Sequence, residues 1–201
     1  MSGSITLENR FGVNKMELIS LKYALFVIAL LVLYYCFPKK YRWYVLLAGS
    51  MAYYVIICKW YVLFIIFTIC TTYGSTIWID KLLKKQNAIV KSHKEDWDRQ
   101  TRKEYKEKGR KKRVAVMLFA LLCNFGILAF LKYIPYAGEL GLLLPLGISF
   151  YTFQSMGYVM DVYREIVEPE KNFLKVALFV SFFPQIIQGP IAIYDKLAGQ
   201  L

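Results

Sequence analysis

The stretch LGISFYTFQSMGYVMDVYRE, residues 146–165, has the pattern of a helix that is apolar yet rich in hydrogen-bonding side chains. Charged residues occur only towards its end. Tyr151, Gln154, Ser155 and Tyr158 share one face of such a helix, because they are spaced i, i+3, i+4 and i+7. In hydrocarbon, an unpaired polar group costs roughly several kcal/mol. This face is therefore predicted to contact other helices or a wet cavity.

The composition indicates that the helix lies in a membrane protein. Of 201 residues, 57% are hydrophobic, whereas a soluble domain has about 45–50% apolar residues. The net charge is nevertheless +12, from 26 Lys+Arg and 14 Asp+Glu. High apolarity together with high charge predicts apolar spans in lipid and basic residues outside them. The four cysteines stand singly in apolar runs without CxxC spacing, so no metal site is predicted.

The apolar stretches predict an all-α, polytopic integral membrane protein. A spanning helix needs about 20 mostly apolar residues to cross about 30 Å of hydrocarbon. On that criterion we expect about five to six membrane-embedded helices, some of them broken. The candidate stretches are residues 18–37, 43–58, 61–79, 114–131, 140–160 and 176–194. In TICTTYGSTIW, within the third stretch, small and hydroxyl residues predict a face that packs against protein.

The basic residues predict the orientation in the plasma membrane. Segment 80–113 holds 14 Lys+Arg and 6 Asp+Glu, a net charge of +8, so the positive-inside rule places this loop in the cytoplasm. Segment 1–17 is then extracytoplasmic, segment 18–79 holds three spans, and segment 114–201 holds the remaining spans. Acid-before-base pairs at i,i+4 favour a solvated helix in the basic loop. Attraction to anionic membrane lipids is the alternative, whereas nucleic acid is not an expected partner because interleaved aromatic residues are few.

Prolines and glutamines interrupt the last two apolar stretches. Pro145 would kink a helix begun at residue 140, so a new helix is expected to begin near it. Pro184 and Pro190 lie at membrane depth beside Gln185 and Gln188. A broken helix in a membrane is tolerated where protein or a water-filled cavity meets it. Two interpretations stay open: a polar tunnel, or a packed core in which glutamines join helices.

The sequence PLGISFYTFQSMGYVMDVYR (145–164), followed by NFLKVALFVSFFPQIIQGPI (172–191), resembles the membrane-bound O-acyltransferase family. The similar branch is bacterial and contains the membrane proteins of alginate O-acetylation and teichoic-acid D-alanylation. FPKKYRWYVLLAGSMAYYV, earlier in the chain, is similar to the same branch. The resemblance extends over most of the chain, from about residue 18 onward, on the basis of these motifs together with the span pattern.

The resemblance implies a ring of helices, some broken, around a tunnel. It implies that acetyl-CoA or an acyl carrier donates an acyl group on the cytoplasmic side, with no bound cofactor. The group reaches a cell-surface polysaccharide directly or through an extracytoplasmic acyltransferase partner. Residues implied to line or brace the tunnel and its cytoplasmic mouth are Tyr151, Gln154, Tyr158, Asp161, Tyr163 and Arg164, with Gln185, Gln188, Gly189 and Pro190 in the adjacent wall.

Two departures from the family pattern limit the prediction. The family's active-site histidine lies in a span downstream of GPI, whereas the one histidine here, His93, is in the basic segment. An arginine that often follows GPI is also missing from AIYDKLAGQL. We therefore predict no catalytic residue in this chain, and expect either the N-terminal part of a longer enzyme or a truncated, inactive product. The alternative is a non-catalytic membrane helper or degenerate remnant that packs against a partner.

Overall fold

The computed structural model describes residues 21–58, 61–93, 97–133 and 147–182, and in these ranges the fold is entirely helical. A single 3₁₀ turn, Lys39–Tyr41, separates the first two helices. The α-helices are α1 (Leu21–Cys36), α2 (Arg42–Cys58), α3 (Val62–Ser92), α4 (Arg99–Tyr133), α5 (Ile148–Tyr163) and α6 (Phe173–Ser181). The predicted all-α class is confirmed for these residues, which contain no strand.

Two helices, α3 with 31 residues and α4 with 35, are long and apolar enough to cross a membrane. At 1.5 Å per residue they measure about 46 Å and 52 Å, which exceeds the roughly 30 Å of hydrocarbon. The shorter helices α1, α2 and α5 have 16, 17 and 16 residues. Five to six membrane-embedded helices therefore remain a prediction.

Helices α3, α4 and α5 pack against one another and form the centre of the bundle. Helix α6 packs on α2 and α3, and α1 packs on α2. On α3 the buried face carries Thr68, Thr72, Ser75 and Thr76. The predicted protein-facing side of TICTTYGSTIW is therefore confirmed for these four hydroxyl residues, whose short side chains allow neighbouring helices to approach closely, whereas Cys70 and Gly74 are exposed.

The outer faces of the helices carry large apolar side chains that are exposed in the described part of the chain. On α1 most of the described apolar side chains are exposed, and on α4 Leu122 is 72% exposed. Such a surface suits lipid rather than water, because exposed apolar patches of this extent are rare on soluble monomers. Exposed examples are Leu25, Ile28, Val32, Ile56, Leu63, Phe67, Phe119, Leu122 and Phe130.

The described residues of the basic segment 80–113 form the two helical arms of a hairpin. Residues 80–92 continue α3 beyond its apolar part, and residues 99–113 begin α4. Buried Gln86 donates from Nε2 to the carbonyl oxygen of Lys106, at 2.9 Å. Gly109 allows this close approach, because a Cβ there would lie 2.5 Å from Gln86 Oε1. One of the predicted i,i+4 ion pairs, Glu107–Lys111, is confirmed with its charged atoms 3.6 Å apart.

Helix α5 begins at Ile148, close to the predicted start. Gly147 precedes it with φ of 72°, a left-handed conformation that glycine adopts without the steric cost of a Cβ. Pro145 itself lies outside the described residues, as do segment 1–17 and the stretch after residue 182.

Candidate functional site

The polar face of α5 lies inside the helix bundle, as its i, i+3, i+4, i+7 spacing predicts. Tyr151, Gln154, Ser155 and Tyr158 are all buried. Between them, Phe153 is 49% exposed on the opposite side of the helix. The ring of Tyr151 meets that of Tyr54 from α2 edge to face. The sequence therefore identified which face of α5 turns into the bundle.

Gln154 joins α5 to α6. Its side chain is 4% exposed, and Nε2 donates a hydrogen bond of 2.9 Å to the carbonyl oxygen of Phe179. Phe179 lies in the last turn of α6, where the final four carbonyl groups have no intrahelical donor. Gln154 supplies a donor to one of them at a buried position. This contact is of the kind that the packed-core interpretation predicts, while a tunnel-lining role for Gln154 stays a prediction.

Tyr158 holds the connector between α5 and α6 against the bundle. Its hydroxyl accepts a 2.8 Å hydrogen bond from the backbone N–H of Glu170, and its ring packs edge-on against Phe179. From α3, the Tyr73 hydroxyl donates to the carbonyl oxygen of Lys171 at 3.0 Å. Two tyrosines thus bind backbone groups of two successive residues, Glu170 and Lys171, in the connector that follows α5.

The end of α5 places its remaining predicted site residues near the surface of the bundle. Asp161 and Tyr163 are half-buried, and Arg164 is exposed. Glu165 follows with φ of 62° and reaches Arg113 of α4, whose Nη1 lies 2.8 Å from Glu165 Oε1. Arg113 is the more buried partner, with 11% of its side chain exposed against 53% for Glu165. This ion pair fastens the C-terminal end of α5 to α4.

A basic cavity of about 620 Å³ lies on α4 beside this ion pair, where the apolar part of the helix gives way to the hairpin. Lys106, Arg110 and Arg113 line it at i, i+4 and i+7. The same line continues into the bundle at Ala120 and Asn124, which are buried. The cavity therefore lies on the same side of α4 as the residues that face the bundle, but closer to the hairpin. The residues that line it are Lys103, Lys106, Glu107, Arg110, Lys111, Arg113 and Val114.

Two polar contacts of α4, one at the end of the bundle and one in its interior, are not among the sequence-based predictions. Arg113 was counted only as the last member of the basic segment, although it stands next to the first apolar residue of α4. Asn124 was passed over within an apolar stretch, yet its Nδ2 donates to Thr71 Oγ1 and to the carbonyl oxygen of Ala120, both at 2.9 Å. The signal that could have found both is a polar residue on the line of buried positions along α4.

Four of the predicted site residues, Gln185, Gln188, Gly189 and Pro190, lie outside the described residues, so their place in a tunnel wall stays a prediction. His93 directly follows α3, where its Nδ1 lies 3.1 Å from the carbonyl oxygen of Ile89 and its ring stacks on Trp97. In the described ranges, no group of three or more His, Cys, Asp or Glu residues has the arrangement of a metal site.

Comparison with known proteins shows similarity to O-acetylating enzymes over part of the chain. The probable alginate O-acetylase of Pseudomonas syringae pv. tomato is 47% identical over 58 residues, which are 29% of this chain and 11% of that protein. The corresponding protein of Pseudomonas aeruginosa is 46% identical over 59 residues, again 29% and 11%. The peptidoglycan O-acetyltransferase of Helicobacter pylori is 32% identical over 42% of this chain and 23% of its own length.

The matched part of the chain spans less than a quarter of the length of each of these relatives. No family profile and no solved structure matches the chain. The resemblance to proteins of alginate O-acetylation, predicted from the two motifs, is nevertheless confirmed over that part. The chain is therefore similar to O-acetyltransferases in sequence and helical in structure.

Proposed function

We propose that this chain forms part of a membrane-bound O-acetyltransferase that moves an acetyl group across the plasma membrane to a cell-surface polysaccharide. The observation that carries the proposal is the local identity with alginate O-acetylases, at nearly one residue in two. The membrane-length helices α3 and α4 support it, because transfer to an extracellular acceptor needs a protein that crosses the bilayer. Alginate and peptidoglycan are the acceptors named for the relatives, and both are extracellular glycans.

The proposed orientation places the hairpin in the cytoplasm. Its net charge of +8 follows the positive-inside rule, and the basic turn PKKYR between α1 and α2 falls on the same side by alternation of spans. The ion pair Arg113–Glu165 supports the same arrangement, since it joins the cytoplasmic part of α4 to the end of α5. In this orientation the protein is multi-pass and the basic cavity opens towards the cytoplasm.

The proposed acyl donor meets the protein at the basic cavity. Acetyl-CoA and acyl-carrier proteins both carry their acyl thioester on a phosphopantetheine arm, so both bring phosphate groups. Guanidinium groups pair with phosphate oxygens in bidentate geometry, which favours Arg110 and Arg113 over lysine as anchors. The cavity lies on the side of α4 that faces the bundle, at the hairpin end of its apolar part. A donor bound there could present its acetyl group to the interior of the bundle.

The polar face of α5 is proposed to brace the path of the acetyl group, with Tyr151, Gln154 and Tyr158 facing inward. Completion of transfer is assigned to a histidine elsewhere in the enzyme and to an extracytoplasmic acyltransferase partner. His93 is an unsuitable base, because it lies on the hairpin and stacks on Trp97. The 201 residues alone are therefore expected to transfer no acetyl group.

The test is the ester-linked acetate of the extracellular polysaccharide, released by mild alkali from a strain that carries the gene. Deleting the gene should remove the acetate, and the unaltered gene should restore it. Arg110→Gln should lower the acetate and raise the KM for the donor on the order of tenfold, because a hydrogen bond to a charged group contributes about 1.5–3 kcal/mol. Lys91→Gln, with the same change of charge on the other arm of the hairpin, is the control.

Acetate that is unchanged after deletion of the gene would refute the proposed function. Equal losses in Arg110→Gln and Lys91→Gln would refute the donor site alone. Transfer by the purified 201-residue chain, abolished by His93→Ala, would contradict the assignment of catalysis to another part of the enzyme.

A non-catalytic role as a membrane helper is the second candidate. It is favoured by Gln154, whose amide is hydrogen-bonded to α6 at a buried position. A helper would leave the acetate content unchanged in Arg110→Gln and would lower it only through loss of a partner enzyme from the membrane. Quantifying that partner in membrane fractions of the deletion strain separates the two candidates.

A further inference from the structure

An apolar groove of about 460 Å³ runs between α3 and α4 on the outer side of the bundle. Trp78 and Phe119 flank it and are 58% and 66% exposed. Its lining is apolar except at one end, where Lys112 lies. The lining residues are Trp78, Leu82, Lys112, Ala115, Val116 and Phe119.

The end of the groove at Lys112 adjoins the basic hairpin. On α3, Lys81 and Lys85 follow Trp78 at i+3 and i+7, so they lie on the same face beyond the groove. On α4, Lys108 precedes Lys112 by one turn. All four lysines are exposed, and within the described residues none of them forms an ion pair with a carboxylate. The groove is therefore apolar along its length and cationic at one end.

We propose that this groove binds one acyl chain of an anionic phospholipid, whose phosphate is held by Lys85 and Lys112. Charge complementarity selects the headgroup, because each basic residue near a membrane surface attracts an anionic lipid by ~1 kcal/mol. The apolar length selects a lipid over a soluble phosphate, which would leave the groove unfilled. Trp78 lines the groove about one turn before Lys81 on α3, and tryptophan is enriched where a membrane meets water.

The site is separate from the proposed donor cavity. Lys106, Arg110 and Arg113 follow the inward-facing line of α4, whereas Lys108 and Lys112 lie on the face that turns towards the groove. A lipid bound there would fix the depth at which the hairpin leaves the membrane. The proposal requires that α3 and α4 lie in a bilayer, but it does not require acetyl transfer.

The test is quenching of Trp78 fluorescence by phospholipids with brominated acyl chains. The full chain is reconstituted with Trp43, Trp60 and Trp97 replaced by phenylalanine. Brominated phosphatidylglycerol, which is anionic, is compared with brominated phosphatidylcholine, which is zwitterionic. Phosphatidylglycerol is expected to bind more tightly at Trp78, and the double change Lys85→Gln/Lys112→Gln should lower that preference on the order of tenfold.

The control is Lys91→Gln/Lys103→Gln, which removes one charge from each helix on other faces and should keep the preference. Ala115→Phe fills the groove without changing charge and should also weaken binding of phosphatidylglycerol. Equal losses in the two double variants would refute the site, because they would indicate attraction to the whole hairpin. Unchanged binding in Ala115→Phe would refute an acyl chain in the groove. Absence of quenching by either lipid would show that Trp78 lies outside the bilayer, and would refute the proposal whatever the acetate assay shows.

Discussion

Replacing Gln154 by leucine tests how the polar face of α5 is used. Leucine is close to glutamine in size, so the change removes the amide while disturbing the packing little. The amide of Gln154 donates a hydrogen bond of 2.9 Å to the carbonyl oxygen of Phe179, in the last turn of α6. In the leucine variant, the carbonyl oxygen of Phe179 loses the hydrogen bond from Gln154 at a buried position.

The expected cost follows from two estimates. Leaving a buried acceptor unpaired costs about 1–3 kcal/mol in soluble proteins. Hydrogen bonds between membrane helices average about 0.6 kcal/mol and reach about 1.7, because the unfolded helices also find partners in lipid. We therefore expect Gln154→Leu to cost about 1–2 kcal/mol, which lowers the melting temperature of a chain of this size by about 2–8 °C.

The assay is thermal unfolding in detergent together with the yield of protein in the membrane. Phe150→Leu is the matched control, since Phe150 on the same helix is 43% exposed and its replacement should change neither quantity. An unchanged melting temperature in Gln154→Leu would refute the reasoning that this amide stabilises the contact of α5 with α6. If acetyl transfer by the complete enzyme were also lost at an unchanged melting temperature, the tunnel-lining role would be supported instead.

Three further predictions concern the topology, the hairpin and the connector. In a chain whose native cysteines are replaced by alanine, Ser92→Cys should label only after the cytoplasm is opened and Gly138→Cys from outside; labelling of both in intact cells would refute the orientation. Gly109→Ala should be less stable in thermal unfolding than Gly126→Ala by about 1–2 kcal/mol. A Cβ at residue 109 would displace the hydrogen-bonded amide of Gln86, whereas a Cβ at residue 126 would have no atom within 4 Å. Equal stability would contradict the close packing of the hairpin. Tyr158→Phe removes the acceptor of a connector N–H, so hydrogen exchange of that amide should accelerate by on the order of tenfold; an unchanged exchange rate would contradict the contact.

The helical class and the buried faces of α3 and α5 could be predicted from local sequence patterns. The spacing of Tyr151, Gln154 and Tyr158 follows the 3.6-residue period, and the period is a local property that can be counted along the chain. The same holds for the four buried hydroxyl residues of α3, which face protein as predicted. The net charge of segment 80–113 is likewise a sequence property, although its cytoplasmic location remains a prediction.

The partners that these faces contact became known from the packing of the helices. The period shows that Gln154 turns inward, but its acceptor at Phe179 lies 25 residues away on another helix. The partners Arg113 and Glu165 are 52 residues apart, and each has charged neighbours that make it look solvated in sequence. A helical pattern fixes the direction of a side chain within its own helix, whereas the choice of partner depends on how the helices cross and on the turns between them. That is why the sequence predicted a polar interior and the packed structure was needed to identify its hydrogen bonds.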